Sequence, residues 1–360
     1  MARTRIAESL DEPALASVLA ASGKFTASRL ASRLDHELPS EIWSSLGRGA
    51  PPMRLVREMR ERLCASDVRA LHVGARDYPA QLAVDRERPP VIFVRGHLDH
   101  LARRRVAIVG TRSASASGRY FAAHLGFELS SRGISVVSGL ARGIDVWAHR
   151  GVRGAVERNK VEPLAIGVVG SGLNVIYPPE HDEMWSWIGK EGLLISEHAP
   201  GVTPQKSHFP MRNRIIAALA EVVVVVESRA AGGSMITVAE AMKRDVSVLA
   251  VPGSPHVGTS RGTNQLIAQG CVPVTDVDDV LVALGLDTRR AGARTFDSRR
   301  ALDPFEEHVV EAIGREALTV DQIVMRSGSN LAEVAVTLGR LERDGWVLHA
   351  DGWWEVLRLP

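Results

Sequence analysis

The chain is poor in the features that mark secreted, membrane-bound and metal-dependent proteins. It holds two cysteines in 360 residues, Cys64 and Cys271. That is too few for a disulfide framework, and reduced thiols are the expected state. No window approaches the roughly 20 apolar residues of a membrane span. Asp11, Glu12 and Pro13 stand where a signal peptide needs its apolar core. A soluble cytoplasmic protein with no membrane partner is expected. Charge excludes little: Lys+Arg 44 against Asp+Glu 42 leaves a formal net charge of +2. Any argument for a polyanionic partner must therefore rest on where the cations stand.

Motifs for catalysis and cofactors are missing as well. After VAIV (106–109) the glycines fall at 110 and 118, outside G-x-G-x-x-G spacing, and no G-x-x-x-x-G-K-[ST] occurs anywhere. ATP hydrolysis of the P-loop kind is thereby disfavoured. Ser113, Ser138 and Ser171 lack a G-x-S-x-G elbow. His181, His198, His208 and His256 are scattered on loops without ligand spacing. Neither a metal nor a cofactor is expected.

What the chain does contain is a long alternation of strand and helix. Residues 1–70 carry Leu15, Val18, Leu19, Leu30 and Leu34 at helical spacing, broken at Gly23 and at GRGAPP (47–52), and read as a small helical domain. Over 71–288, short β-branched runs alternate with helical stretches: VAIV, ISVVS (134–138), LAIGVVG (164–170), GLLIS (192–196), EVVVVVE (221–227) and VSVLAV (246–251). Continuous apolar runs mean strands buried on both faces, the mark of a parallel sheet between helical layers. PVIFVRG (90–96) is expected to join it. The fold class is α/β, a doubly wound Rossmann-like sheet. A basic linker over 289–300 leads to 301–360, where three helical patterns and a hairpin turning at Asp351-Gly352 read as a winged helix. Thr319 and Asn330 are its expected N-caps.

In an open parallel sheet, ligands bind at the carboxyl ends of the strands. Here each such end opens into a loop of glycine and small hydroxyl residues, and these loops carry Arg112, Arg142, Lys206, Arg212, Arg214, Arg229 and Arg261. Glycines admit backbone amides to an anion, and each following helix offers its positive N-terminus. Thr111, Ser113, Arg142, Gly233, Ser234 and Arg261 are further candidate phosphate contacts. Spread cations with an aromatic suit an extended polyanion better than one small ligand. Phe209, within KSHFPMRNR, either stacks on an unpaired base or tucks beneath the loop as a staple for the helix starting near Pro210.

Seven ordered segments carry a resemblance: VAIVGTRSASASGRYFA, VVSGLARGIDVWAH, GSGLNVIYPPEH, LLISEHAPG, HFPMRNRIIAALA, GGSMITVAEA and VPGSPHVGTSRGTNQLI. Residues 75–285 are similar to the DNA-processing protein A (DprA/Smf) family. The resemblance implies a Rossmann-like homodimer that binds single-stranded DNA, protects incoming strands in natural transformation and helps load the RecA recombinase. It places DNA contacts on Arg112, Lys206 and Phe209, with Arg212, Gly170 and Ser171 completing the pocket. Arg214 extends the basic run. The presumed recognition stretch of the winged helix, NLAEVAVTLGRLERDG, mixes Glu333, Glu342 and Asp344 with Arg340 and Arg343. That balance is poor for a duplex groove reader and better for a protein contact or a stabilising element.

A rival comes from the same superfamily, whose nucleoside-monophosphate phosphoribohydrolases carry G-G-x-G-T-x-x-E. AGGSMITVAE lacks the third glycine and sets Thr237 and Glu240 one residue late. A catalytic reading would need Glu240 in the pocket.

Overall fold

The structure is a computed structural model, and it describes residues 11–286, 300–314, 316–350 and 352–357. The expected linker, apart from Arg300, and Asp351 of the expected turn lie outside the described residues.

The described residues begin with helices α1 (Glu12–Ala21), α2 (Ala27–Leu34), α3 (Pro39–Ser45) and α4 (Met53–Ala65). Their starts are capped by local chemistry: the Asp11 carboxylate accepts from Ala14 N at 3.0 Å and Thr26 Oγ1 from Arg29 N at 3.3 Å. The leucines read at helical spacing face inward. Leu15 and Val18 pack with Val56, Met59 and Phe93, while Leu19, Leu30 and Leu34 pack with Ile92 and Val94. The helical region thus shares its core with the sheet.

Among the described residues, nine strands form one sheet in the order β1-β2-β6-β5-β4-β3-β7-β8-β9. They are β1 (Arg69–His72), β2 (Val91–Gly96), β3 (Arg105–Val109), β4 (Ser135–Ser138), β5 (Ala165–Val169), β6 (Leu193–Ser196), β7 (Val222–Val225), β8 (Ser247–Ala250) and β9 (Val272–Pro273). From β6 across to β9 every pairing is parallel. β2 joins β6 and β1 joins β2 antiparallel, so PVIFVRG extends the sheet at its edge in the opposite sense. The chain winds outward from β3 through β4 and β5 to β6, then returns beyond β3 to β7. This is the doubly wound, Rossmann-like order.

Why the strands are uniformly apolar is visible in the packing. Val106, Ile108, Val222 and Val224 face one core, while Ala107, Val109, Val223 and Val225 face the other. The first core takes α6 (Ala116–Ser131), α7 (Ile144–Asn159), α8 (Asp182–Glu191) and α12 (Val277–Ala283). The second takes α9 (His208–Leu219), α10 (Ser234–Met242) and α11 (Arg261–Ala268); the short α5 (Ala80–Ala83) packs there too. In the central strands β3–β7 the apolar side chains leave water whichever way they point, contributing about 25 cal/mol per Å² buried.

The C-terminal domain contains α13 (Pro304–Ile313), β10 (Leu318–Thr319), α14 (Val320–Ser327), α15 (Leu331–Arg343), β11 (Val347–Ala350) and β12 (Trp353–Val356). Thr319 and Asn330 cap α14 and α15 as their spacing predicts. The three strands pair in the order β10-β12-β11, making the wing.

Candidate nucleic-acid interface

The helix that matters most is α9, which carries the chain from β6 back to β7. It buries Arg212, Ile215, Ile216, Ala217 and Leu219 against the sheet. Its first turn therefore meets the carboxyl ends of β3, β4 and β5. There a small cleft of about 30 Å³, open to solvent, forms between the loops after those strands. Arg112, Arg142, Gly170, Ser171, Phe209 and Arg212, all singled out in the sequence, line it.

Phe209 is the second residue of α9 and is half-exposed. Its ring does not tuck under the loop. The Arg112 guanidinium carbon lies 5.1 Å from its centroid, a cation–π distance. On another side stands Tyr177, centroid to centroid 5.6 Å at an interplanar angle of 37°. Tyr177 is 39% exposed, so two aromatic surfaces and an exposed arginine share the mouth of the cleft. Next to Phe209, His208 directs Nδ1 to the Gly170 carbonyl at 3.1 Å and stacks on His198 at 3.9 Å. Burial, with His208 alongside, pulls the His198 imidazole down to about 4, so it is neutral.

Arg212 forms the floor. It is only 6% exposed, and its Nη1 donates to the Val168 carbonyl at 2.9 Å. Burial lowers its pKa to about 10, a shift opposed by the Asp145 carboxylate. Asp145, buried at the start of α7, accepts from Gly139 N at 3.1 Å. Burial raises the Asp145 pKa, and Arg212 opposes that rise. At Gly139 a Cβ would sit 1.6 Å from Arg212 Nη1, so a side chain there would push the guanidinium from its place. Gly143 is required: its φ is +76°, and a Cβ would meet the Thr111 carbonyl at 2.2 Å. That close approach sets the Arg112 loop beside the Arg142 loop.

The remaining expected contacts fall in several places. Lys206 is exposed just before α9. Arg142 lines the cleft but its Nε is paired with Glu180, and this pair holds the Glu180 carboxyl down to about 2. Both partners are well exposed, so an incoming phosphate can displace the carboxylate. Thr111 and Ser113 flank Arg112, the Ser113 N–H donating to Thr111 Oγ1 at 3.3 Å. Gly233, Ser234 and Arg261 stand at the starts of α10 and α11, outside the cleft lining.

Three expected donors are used by the fold itself. Arg214 Nη2 binds both carboxylate oxygens of Glu197 at 2.7 Å, and its Nη1 donates to the Glu87 carbonyl. It points away from the cleft because α9 turns Arg212 inward, which places Arg214 two residues on along another face. The Ser171 hydroxyl donates to the Val175 carbonyl at 2.8 Å, and that of Ser234 to Ser228 Oγ at 2.8 Å.

Glu240 stands apart from the cleft. Its carboxylate meets Lys243 at 2.7 Å and Arg244 at 2.6 Å, and Arg244 reaches on to Asp85 at 2.6 Å. Among the described residues, no group of three or more His, Cys, Asp or Glu is placed to hold a metal ion.

Two site residues escaped the sequence. Tyr177 lies in GSGLNVIYPPEH, where an aromatic in a rim loop was a usable signal. Asp145, in GLARGID, looks like an ordinary first-turn acid until the buried Arg212 is seen beside it.

A doubly wound sheet whose carboxyl rim presents cations around exposed aromatics is a nucleic-acid-binding Rossmann-like domain in type. The chain belongs to the DNA recombination-mediator protein A family, whose model matches residues 69–285; the DprA winged-helix model matches residues 295–352. It is 34% identical over 288 residues to Protein Smf of Escherichia coli strain K12, covering 78% of this chain and 75% of that protein. Among solved structures it is similar to DNA processing protein A of Streptococcus pneumoniae: 31% identity, TM-score 0.59, 76% of this chain and 93% of that one. A structure describing the single-stranded DNA binding mode of DNA processing protein A from Helicobacter pylori is also similar, with 26% identity, TM-score 0.54, and 60% and 95% covered.

Proposed function

We propose that the cleft grips an unpaired DNA strand, and that the protein works in DNA recombination by binding rather than by catalysis. One observation carries this reading: Phe209 and Tyr177 lie half-exposed together at the mouth, with Arg112 against Phe209. An aromatic face takes a base only when that base is unstacked from a partner strand, and the adjacent guanidinium meets the phosphate. Arg112, Lys206 and Phe209 are the principal contacts, with Arg142 displaceable from Glu180 and Gly170 shaping the wall. Arg212 acts from the floor as a fixed positive charge. The single-strand binding mode described for the Helicobacter pylori protein supports this assignment.

From family membership we carry further the protection of incoming strands during natural transformation, the loading of RecA and a homodimeric state. Exposed Leu331 and Val336 on α15 favour a protein-contact role for the winged helix. Two free cysteines fit a cytoplasmic setting. The rival phosphoribohydrolase reading has little support, since Glu240 is held by Lys243 and Arg244 away from the cleft.

Gel-shift binding of one sequence as single strand and as duplex tests the proposal. Preference for the single strand, weakening steeply with salt, is expected. Duplex preference, or release of base from nucleoside monophosphates that Glu240→Gln abolishes, would overturn it.

A further inference from the structure

Next to the cleft, the first turns of α6 and α7 gather a second set of cations about an aromatic. Arg119 is the fourth residue of α6 and Trp147 the fourth of α7. The Arg150 guanidinium carbon lies 4.6 Å from the Trp147 ring centroid and that of Arg119 lies 5.9 Å from it. Two like charges are thereby held about one indole. Glu183, the acid that acts on Arg150, gives its carboxylate to Arg153 at 2.7 Å. Arg119 Nε donates to the Ser115 carbonyl at 3.2 Å, which leaves the outer part of its guanidinium for another acceptor. From the C-terminal domain Arg343 lines the same hollow, where Asp344 is engaged by Arg300 at 2.7 Å. Cations kept together with their nearest acids already occupied are relieved by an anion.

Position points to the same ligand. The Arg112 loop runs through the N-cap Ser115 straight into α6, and Gly143 joins the Arg142 loop to α7. The Trp147 group therefore starts from the same carboxyl rim, one helical turn beyond the Arg112 and Arg142 loops, on the face of the sheet that α6 and α7 cover. A guanidinium stacked on an indole also keeps its in-plane N–H donors free and oriented, the geometry that suits phosphate oxygens.

We propose that Arg119, Trp147 and Arg150 form a second single-strand subsite, gripping the phosphates of nucleotides that run on past the Phe209 cleft. This rests on the single-strand reading above.

The test is a titration with oligothymidylates of increasing length. It compares the parent, Phe209→Ala, and an Arg119→Gln/Arg150→Gln double variant whose melting curve reports its fold. On oligonucleotides short enough to fill only the Phe209 cleft, the double variant binds like the parent. On long ones it binds about tenfold weaker, and its salt slope falls by about 1.4, the value for two single-strand phosphate contacts. If the double variant equals the parent at every length while Phe209→Ala weakens binding, the second subsite is overturned and the first stands. Equal binding by all three overturns both. Uniform weakening at every length also overturns the second subsite, because that is a general charge effect. Should the double variant melt early, Arg150→Gln alone, at an exposed residue, carries the same test with half the change in slope.

Discussion

The Arg112 guanidinium carbon sits 5.1 Å from the centre of the Phe209 ring, although 96 residues separate the two in the chain. One comes from the loop after β3, the other from the first turn of α9, and only the return crossover from β6 to β7 brings them together. Each fixes the other, so their contributions to DNA binding should not add. Arg112→Ala, Phe209→Ala and the double variant, titrated with a single strand, should give a coupling energy of about 0.5–1 kcal/mol. Strict additivity would show that the pair does not act as a unit.

Tyr177 should matter for its ring and not for its hydroxyl. Tyr177→Phe is expected to bind single-stranded DNA like the parent, and Tyr177→Ala to lose about 1 kcal/mol or more of stacking. Anisotropy titrations decide this; a Phe variant as weak as the Ala variant would assign the work to the hydroxyl.

Arg214 is expected to act on stability more than on binding. Its partner Glu197 has a side chain only 17% exposed, and Arg214 itself only 14%. Arg214→Ala leaves that carboxylate unpaired in a site whose burial already raises its pKa, at a cost of about 3 kcal/mol. Removing Glu197 as well should recover most of the loss in urea melts. A stable Arg214→Ala with much weaker DNA binding would return Arg214 to the cleft.

Two neutral histidines set an acid limit. Burial lowers His149 from 6.5 to about 3, and burial with His208 lowers His198 from 6.5 to about 4. The unfolded chain takes up these protons near pH 6.5; the folded chain resists until about 4 and 3. Between those values the unfolded state binds more protons, so stability is intact above pH 6.5 and declines as the pH falls. Melting temperatures measured downward from pH 7 should drop through this window, and His198→Gln should lessen the slope between about 6.5 and 4, where His149 still contributes. A flat profile from pH 6.5 to 4 would contradict the assignment.

Much of this was legible beforehand because strands buried on both faces write continuous apolar runs. VAIV, EVVVVVE and the rest therefore showed the sheet and, through it, the rim. The loops at the strand ends were legible for the same reason, and the caps at Thr319 and Asn330 from the N-cap preference of Thr and Asn. The antiparallel sense of β2 was not, since PVIFVRG is equally apolar either way and only its place beyond β6 decides the direction. Nor was the division of labour within MRNR. Arg212 and Arg214 look alike in sequence, yet helical rotation buries one against Val168 and hands the other to Glu197. Tyr177 was visible only as an aromatic in a rim loop; its pairing with Phe209 is decided by the fold, which brings that loop to α9.

The central claim, that the Arg112–Phe209 cleft grips an unpaired strand, is tested most directly by one salt series. Binding of a labelled single strand is measured for the parent, Phe209→Ala and Lys206→Ala. The account predicts that Phe209→Ala loses about 1–3 kcal/mol with its salt slope unchanged, while Lys206→Ala flattens the slope by about 0.7. Two variants that bind like the parent at every salt concentration would contradict it.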